Sequence, residues 1–169
     1  MKLHVDQHFA RVTLERFVEV YHSEEFNNAV APITGMRTRR LVAETTSAEG
    51  RRERRVHMEP DTKLPAAIEK LVGSISKGGV SYDEVSSYDP ATNTVTFHVD
   101  SPANERVRLA GTIRFISDGD GVRRVIDANI EVKVPLLGGV IERFIERETV
   151  KGYAKIALFL QRFIDEHPG

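Results

Sequence analysis

Between Val122 and His167 the chain changes its hydrophobic period once, and that change limits the folds open to it. In Val122-Arg-Arg-Val-Ile-Asp-Ala-Asn-Ile-Glu-Val-Lys-Val134, the residues Ile126, Ala128, Ile130, Val132 and Val134 are apolar, and Asp127, Asn129, Glu131 and Lys133 alternate with them. A two-residue period belongs to a strand with one wet face. After Pro135-Leu-Leu-Gly-Gly139 the spacing becomes helical. Leu137, Ile141, Phe144, Ile145, Tyr153, Ile156, Leu160, Phe163 and Ile164 recur every three or four residues. They span roughly 30 residues, about 45 Å of one amphipathic helix ending near His167. So long an apolar stripe needs a large sheet to lie on, which the upstream chain must supply.

The upstream periodicities supply it. Leu3, Val5 and Phe9 mark a first strand. Thr13 is placed to cap a helix carrying Leu14, Phe17, Val18 and Tyr21, and Ser23 to cap a second that Pro32 and Gly35 stop. Met36 to Ser47 and Arg51 to Glu59 read as a hairpin turning at Gly50. Leu64 to Val72 is helix-like and short, an insertion over one end of the sheet. Val80 to Tyr88, Thr94 to Val99, Glu105 to Ile116 and Val122 to Val134 are further strands, separated by Asp89-Pro-Ala-Thr-Asn93, Asp100-Ser-Pro-Ala103 and Ser117-Asp-Gly-Asp-Gly121. Turn chemistry this short implies an antiparallel meander.

At 169 residues the chain predicts one domain, 1–169, with a single core. Its 24 Lys plus Arg against 25 Asp plus Glu leave a net charge of -1, so attraction to nucleic acid or to an anionic membrane would have to be local. Peripheral membrane contact stays open on that ground. Absence of cysteine excludes disulfides, thiolate metal sites and thiol nucleophiles, and suits a cytoplasmic location. No apolar run reaches the roughly 18 residues of a membrane span, and the N-terminus lacks the apolar core of a signal peptide. No phosphate-loop, dinucleotide, zinc-protease or serine-hydrolase motif occurs, and no cofactor or metal is expected.

The fold class expected is α+β: a curved antiparallel sheet of about six or seven strands wrapped on the C-terminal helix, with two short helices after strand one. A sheet with all its helices on one face must curl around the long one, leaving room for a cavity. This order of elements resembles the START-like (SRPBCC, helix-grip) superfamily, which includes Bet v 1 allergens, polyketide cyclases and lipid-transfer domains. The passage Ile130-Glu-Val-Lys-Val-Pro-Leu-Leu-Gly-Gly-Val-Ile-Glu142, with Leu64-Pro65 upstream, is similar to the bacterial DUF2505 family. The resemblance implies a hydrophobic cavity that receives a lipid or other apolar small molecule. It implies no reaction and no catalytic residues, because members include both carriers and enzymes.

The expected lining comes from alternation and helical spacing: Val107, Leu109, Gly111, Ile113 and Phe115 beside Ile126, Ala128, Ile130 and Val132, facing Ile141, Ile145, Thr149 and Gly152. Gly111 and Ala128 would make the wall thinnest. Between Ile145 and Val150 the helix's apolar face nearly lapses, and Gly152 implies either close packing or room for a ligand. Tyr82 and Glu84 share one strand face; pointing inward they would orient a ligand or serve as acid and base, and pointing outward they decorate the surface.

Two surface features carry rival readings. Arg37, Arg39, Arg40, Arg51, Arg52, Arg54 and Arg55 crowd one hairpin. They suit a clamp for phosphate or an anionic lipid headgroup, an RNA-contacting edge, or a solvated face paired with Glu44, Glu49, Glu53 and Glu59. Alternation puts Arg37 with Arg39, and divides Arg51 and Arg55 from Arg52 and Arg54. His4, Asp6 and His8 form a row on one strand face, a metal site only if further ligands converge, and otherwise a wet edge. Three functions follow: binding or transport of an apolar molecule, cyclase, dehydratase or hydrolase chemistry on one, or an interaction module built on the arginine hairpin.

Overall fold

A computed structural model describes residues 1–61, 63–66, 68–70 and 80–169. The elements run β1 (Lys2–Phe9), α1 (Leu14–His22), α2 (Glu24–Val30), a 3-10 turn (Ala31–Ile33), β2 (Met36–Thr46), β3 (Arg52–Pro60), β4 (Tyr82–Asp89), β5 (Thr94–Asp100), β6 (Val107–Asp118), β7 (Gly121–Val132) and α3 (Gly138–Glu166). Most of these follow the periodicities closely. Of the helix expected over 64–72, residues 66 and 68–70 are helical, and Pro65 O accepts from Ile68 N at 2.8 Å. The rest of that segment lies outside the described residues.

The strands form one seven-stranded antiparallel sheet ordered β1-β7-β6-β5-β4-β3-β2. Strands β2 to β7 are a meander, while β1 joins β7 at the far edge, so α1 and α2 carry the chain from one edge to the other. Capping fixes both short helices: Thr13 Oγ1 accepts from Arg16 N at 3.2 Å and Ser23 Oγ from Phe26 N at 3.1 Å. The register pairs Leu109 with Ile130, Gly111 with Ala128 and Ile113 with Ile126, so the apolar parity of β6 meets that of β7.

Helix α3 lies in the resulting trough and is gripped at its two ends. Its buried residues are Ile141 near the start and Leu160, Phe163 and Ile164 near the finish. Ile141 joins Ile130, Val132 and Ile68 in one core cluster. The C-terminal three join Phe9, Phe17, Phe26 and the inner face of the sheet in a larger one. Between the clusters the middle of the helix bridges open space. The lapse in the apolar stripe at Glu146-Arg-Glu-Thr149 falls on that bridge.

Candidate functional site

The space beneath the middle of α3 is a cavity of about 490 Å³, lined largely by apolar side chains of the sheet and by Ile141, Phe144, Ile145 and Ile156 of the helix. That volume lies within the range of small-molecule sites, roughly 300 to 1,000 Å³.

Strand β4 contributes the central polar groups. Tyr82, Glu84, Ser86 and Tyr88 line the cavity. Asp83 points the other way, where its carboxylate takes Arg55 Nη1 at 2.8 Å and His57 Nδ1 at 2.7 Å. Polar residues on both faces hid this strand's direction in the sequence; the inward face is the one with Tyr82 and Glu84. Burial pushes the Glu84 carboxyl above the usual carboxylate range, an effect the positive charges of Arg39 and Arg54 partly offset. Burial and the neighbouring Glu84 also raise the Tyr82 hydroxyl, so it stays a neutral phenol that donates or accepts.

A carboxyl that holds its proton more tightly folded than unfolded makes the folded state the stronger proton binder. Stability therefore falls as pH rises from the ordinary carboxylate range through the folded pKa. Glu84→Gln mimics the protonated acid. The variant is expected to melt higher than the parent at neutral pH, each ~1 kcal/mol gained showing as roughly 2 to 4 °C, and the gain should vanish in acid. Melting curves across pH check it, and a variant that melts lower at neutral pH contradicts it.

The arginine hairpin is divided between the two sheet faces. Arg39, Arg52 and Arg54 turn into the cavity. Arg37, Arg51 and Arg55 take outer carboxylates, those of Glu59 at 3.0 Å, Asp89 at 3.5 Å, and Asp83 and Asp100 at 2.8 and 3.1 Å. Arg37 was expected beside Arg39, but a register shift between Met36 and Thr38 breaks the alternation and separates them. Of the four expected partners, Glu44 pairs with Arg54 and Glu59 with Arg37. The other carboxylates, Asp83, Asp89 and Asp100, come from the neighbouring strands β4 and β5.

Sequence reasoning missed Arg124 of β7, among the described residues the largest fully buried side chain. Its Nε donates to Gln7 Oε1 at 3.0 Å, and its guanidinium stacks over Phe9 and Tyr153 at 5.2 and 5.6 Å from the ring centroids. The signal was available: Arg124 has the same strand parity as Ile126 and Ala128, where a charge is out of place. Also missed was His22, on the cavity wall, whose Nδ1 donates to Val18 O at 2.9 Å. Burial pulls its pKa down to about 4, so the ring is neutral at pH 7 with Nε2 left as an acceptor.

Of the lining predicted from sequence, Tyr82, Glu84, Leu109, Ile113, Ala128, Ile141, Ile145, Thr149 and Gly152 border the cavity. Gly111, Phe115, Ile126, Ile130 and Val132 do not, Ile126 and Val132 being packed in the core clusters. A Cβ on Gly111 would lie 2.3 Å from Asp127 O and 2.7 Å from Ala128, so this glycine makes room for the adjacent strand. Phe115 packs instead against Phe17 and Tyr21, at centroid distances of 5.3 and 4.9 Å, in an aromatic plug under α1. Ile130 is sealed in the core cluster around Ile141. On the outer face, the row His4, Asp6 and His8 is taken up by local partners, with His4 Nδ1 2.6 Å from Asp127 Oδ1, Arg123 paired to Asp6 at 2.8 Å, and His8 Nε2 3.2 Å from Asp118 O. Among the described residues no three His, Asp or Glu side chains converge on a metal position.

A curved sheet gripping one long helix over a lined cavity defines a helix-grip fold of the START/Bet v 1-like kind. Residues 5–164 match the DUF2505 family, described as a protein of unknown function, and the chain belongs to it. No curated protein matches. Norcoclaurine synthase from Thalictrum flavum superposes with a TM-score of 0.66 at 14% identity over 99% of this chain and 87% of its own. The Zhui aromatase/cyclase from Streptomyces sp. R1128 gives 0.62 at 12% identity, covering 97% and 96%. A START superfamily protein from Mycobacterium smegmatis gives 0.57 at 16% identity, covering 98% and 97%. At these identities the likeness is one of fold. Among the described residues no helix is long and apolar enough to cross a membrane.

Proposed function

We propose that the protein binds or carries a hydrophobic small molecule or lipid in the cavity between the sheet and α3. The carrying observation is the cavity itself, about 490 Å³ of mostly apolar wall held open at mid-helix while both helix ends are packed. Apolar surface exposed to water inside such a space is unfavourable until a ligand covers it, at about 25 cal/mol per Å². The reading includes a cytoplasmic setting, for which a cysteine-free chain is permissive. Displacement of a fluorescent fatty acid by apolar competitors tests it, with saturable one-site binding expected. Failure of every apolar probe to bind would contradict it.

A second reading has one observation in its favour. Glu84 borders the cavity with its pKa raised by burial, which suits a general acid or base, and Tyr82 stands two residues away on the same face. Norcoclaurine synthase and the aromatase/cyclase are enzymes on the same fold. On this reading the protein is a cyclase, dehydratase or hydrolase for an apolar substrate. A captured ligand whose mass changes on incubation with the parent protein and not with Glu84→Gln would support it.

A further inference from the structure

We propose that the cavity selects a ligand whose apolar body ends in an anionic oxygen head, a carboxylate or a phosphate, and that Arg39, Arg52 and Arg54 hold that head. The proposal rests on the cavity-binding reading and adds the chemical class of the ligand.

The hairpin leaves charges unmatched on its inner face. In water a surface arginine needs no partner, whereas a guanidinium withdrawn into an apolar space costs several kcal/mol unless a counter-charge meets it. This hairpin does the reverse. Arg37, Arg51 and Arg55, on the wet face, each take a carboxylate. Inside, Arg39 Nη2 donates to the amide oxygen of Asn27 at 3.1 Å, and Arg52 Nη1 donates to His22 O at 3.1 Å. Both acceptors are neutral. They fix the forks in place and leave the charges uncancelled, and among the described residues neither arginine has an ion pair.

Arg54 differs from them in having a counter-charge, with its Nε 2.8 Å from Glu44 Oε2, although that N–H makes no hydrogen bond. Arg52 and Arg54 are two residues apart on one strand face, about 6 to 7 Å, and Arg39 reaches in from the adjacent strand, opposite Met58. Along the strand Arg39 starts four positions from Arg54 and six from Arg52, roughly 13 and 20 Å, and the side chains converge on the α1–α2 junction: Arg39 ends on Asn27, whose Nδ2 donates to Tyr21 O and Ser23 O at 3.2 and 2.7 Å, beside the His22 O that takes Arg52. Planar guanidinium forks match carboxylate and phosphate oxygens.

The groups facing them do not supply the missing charge. Two carboxyls lie on the inner face of the sheet: Glu44, beside Arg54 at 2.8 Å, answers that one charge and leaves Arg39 and Arg52 unmatched, and Glu84 is driven towards its neutral form by burial. On α3, Glu148 also lines the cavity, but it is held by Lys151 at 3.1 Å. Tyr21 is a buried phenol whose hydroxyl is raised, hence neutral. An anionic ligand head restores the balance, and its tail covers the apolar wall.

The test is competition for a neutral reporter, N-phenyl-1-naphthylamine, by three ligands of matched chain: dodecanol, dodecanoate and dodecyl phosphate. On the parent protein one or both anions should displace the reporter at least about tenfold more effectively than the alcohol, ~1.4 kcal/mol. Which anion prevails separates carboxylate from phosphate. The preference should persist at about 1 M salt, where screening confines surface attraction to about 3 Å. In Arg39→Gln/Arg52→Gln it should fall to near one with dodecanol unchanged, while Arg37→Gln/Arg55→Gln keeps it. Equal displacement by alcohol and anions on the parent, which requires no variant to fold, overturns the head-group assignment and leaves the cavity reading standing. So does a preference that survives in a folded Arg39→Gln/Arg52→Gln. If no competitor displaces the reporter and the reporter itself fails to bind, both fall together.

Discussion

Gly152→Phe should abolish apolar ligand binding, weakening it by at least about 100-fold, while the protein melts no lower than the parent. Gly152 lies inside α3 on the cavity wall, and a Cβ built there meets nothing within 4 Å. Of the two meanings its glycine could have had, close packing or vacant room, the geometry is that of vacant room. A phenylalanine side chain brings an aromatic body that buries some 150 to 250 Å² into that space, where it competes with any ligand for the same wall. The backbone gains in return, because glycine in a helix interior is about 1 kcal/mol worse than alanine. Gly152→Ala is the matched control, with binding kept and melting raised by roughly 2 to 4 °C. Titration of a neutral fluorescent reporter and thermal melting check both variants, and a Gly152→Phe protein that binds normally contradicts the location of the site.

Phe17→Ala should cost about 3 to 5 kcal/mol of stability, the range for removing a wholly buried aromatic ring. Phe17 has no exposed surface. It touches Phe9 at 4.9 Å and Phe115 at 5.3 Å between centroids, fastening α1 to β1 and β6. These rings close the trough beyond one end of the cavity, so their loss should loosen the grip at that end first. Chemical denaturation measures the effect; a loss under about 1 kcal/mol would mean that the plug is not the packed unit described.

The fold was legible because two periods, 2.0 and 3.6, are independent of each other, and this chain switches between them cleanly at Pro135. Turn chemistry at 89–93 and 117–121 then implied the meander. The site was legible only where parity and burial coincide. Ala128 and Ile113 followed from alternation, but Phe115 shares that parity and faces a helix, because alternation names a side of the sheet and not what lies against it. Strand β4 carries Glu84 on one face and Asp83 on the other, so its direction depended on tertiary contacts. The arginines needed the bulge at Met36 and Thr38, which no short-range pattern announces. Arg124 is the residue that sequence could have yielded: a charge on the buried parity of the most regular strand.

The central claim is that the interior is a binding site. Native mass spectrometry of gently purified protein tests it most directly. A complex heavier than the polypeptide by one organic molecule is expected, released on denaturation and replaced one for one when a long-chain acid is added in excess. A bare polypeptide mass that stays bare in the presence of excess dodecanoate, dodecyl phosphate and dodecanol would contradict it.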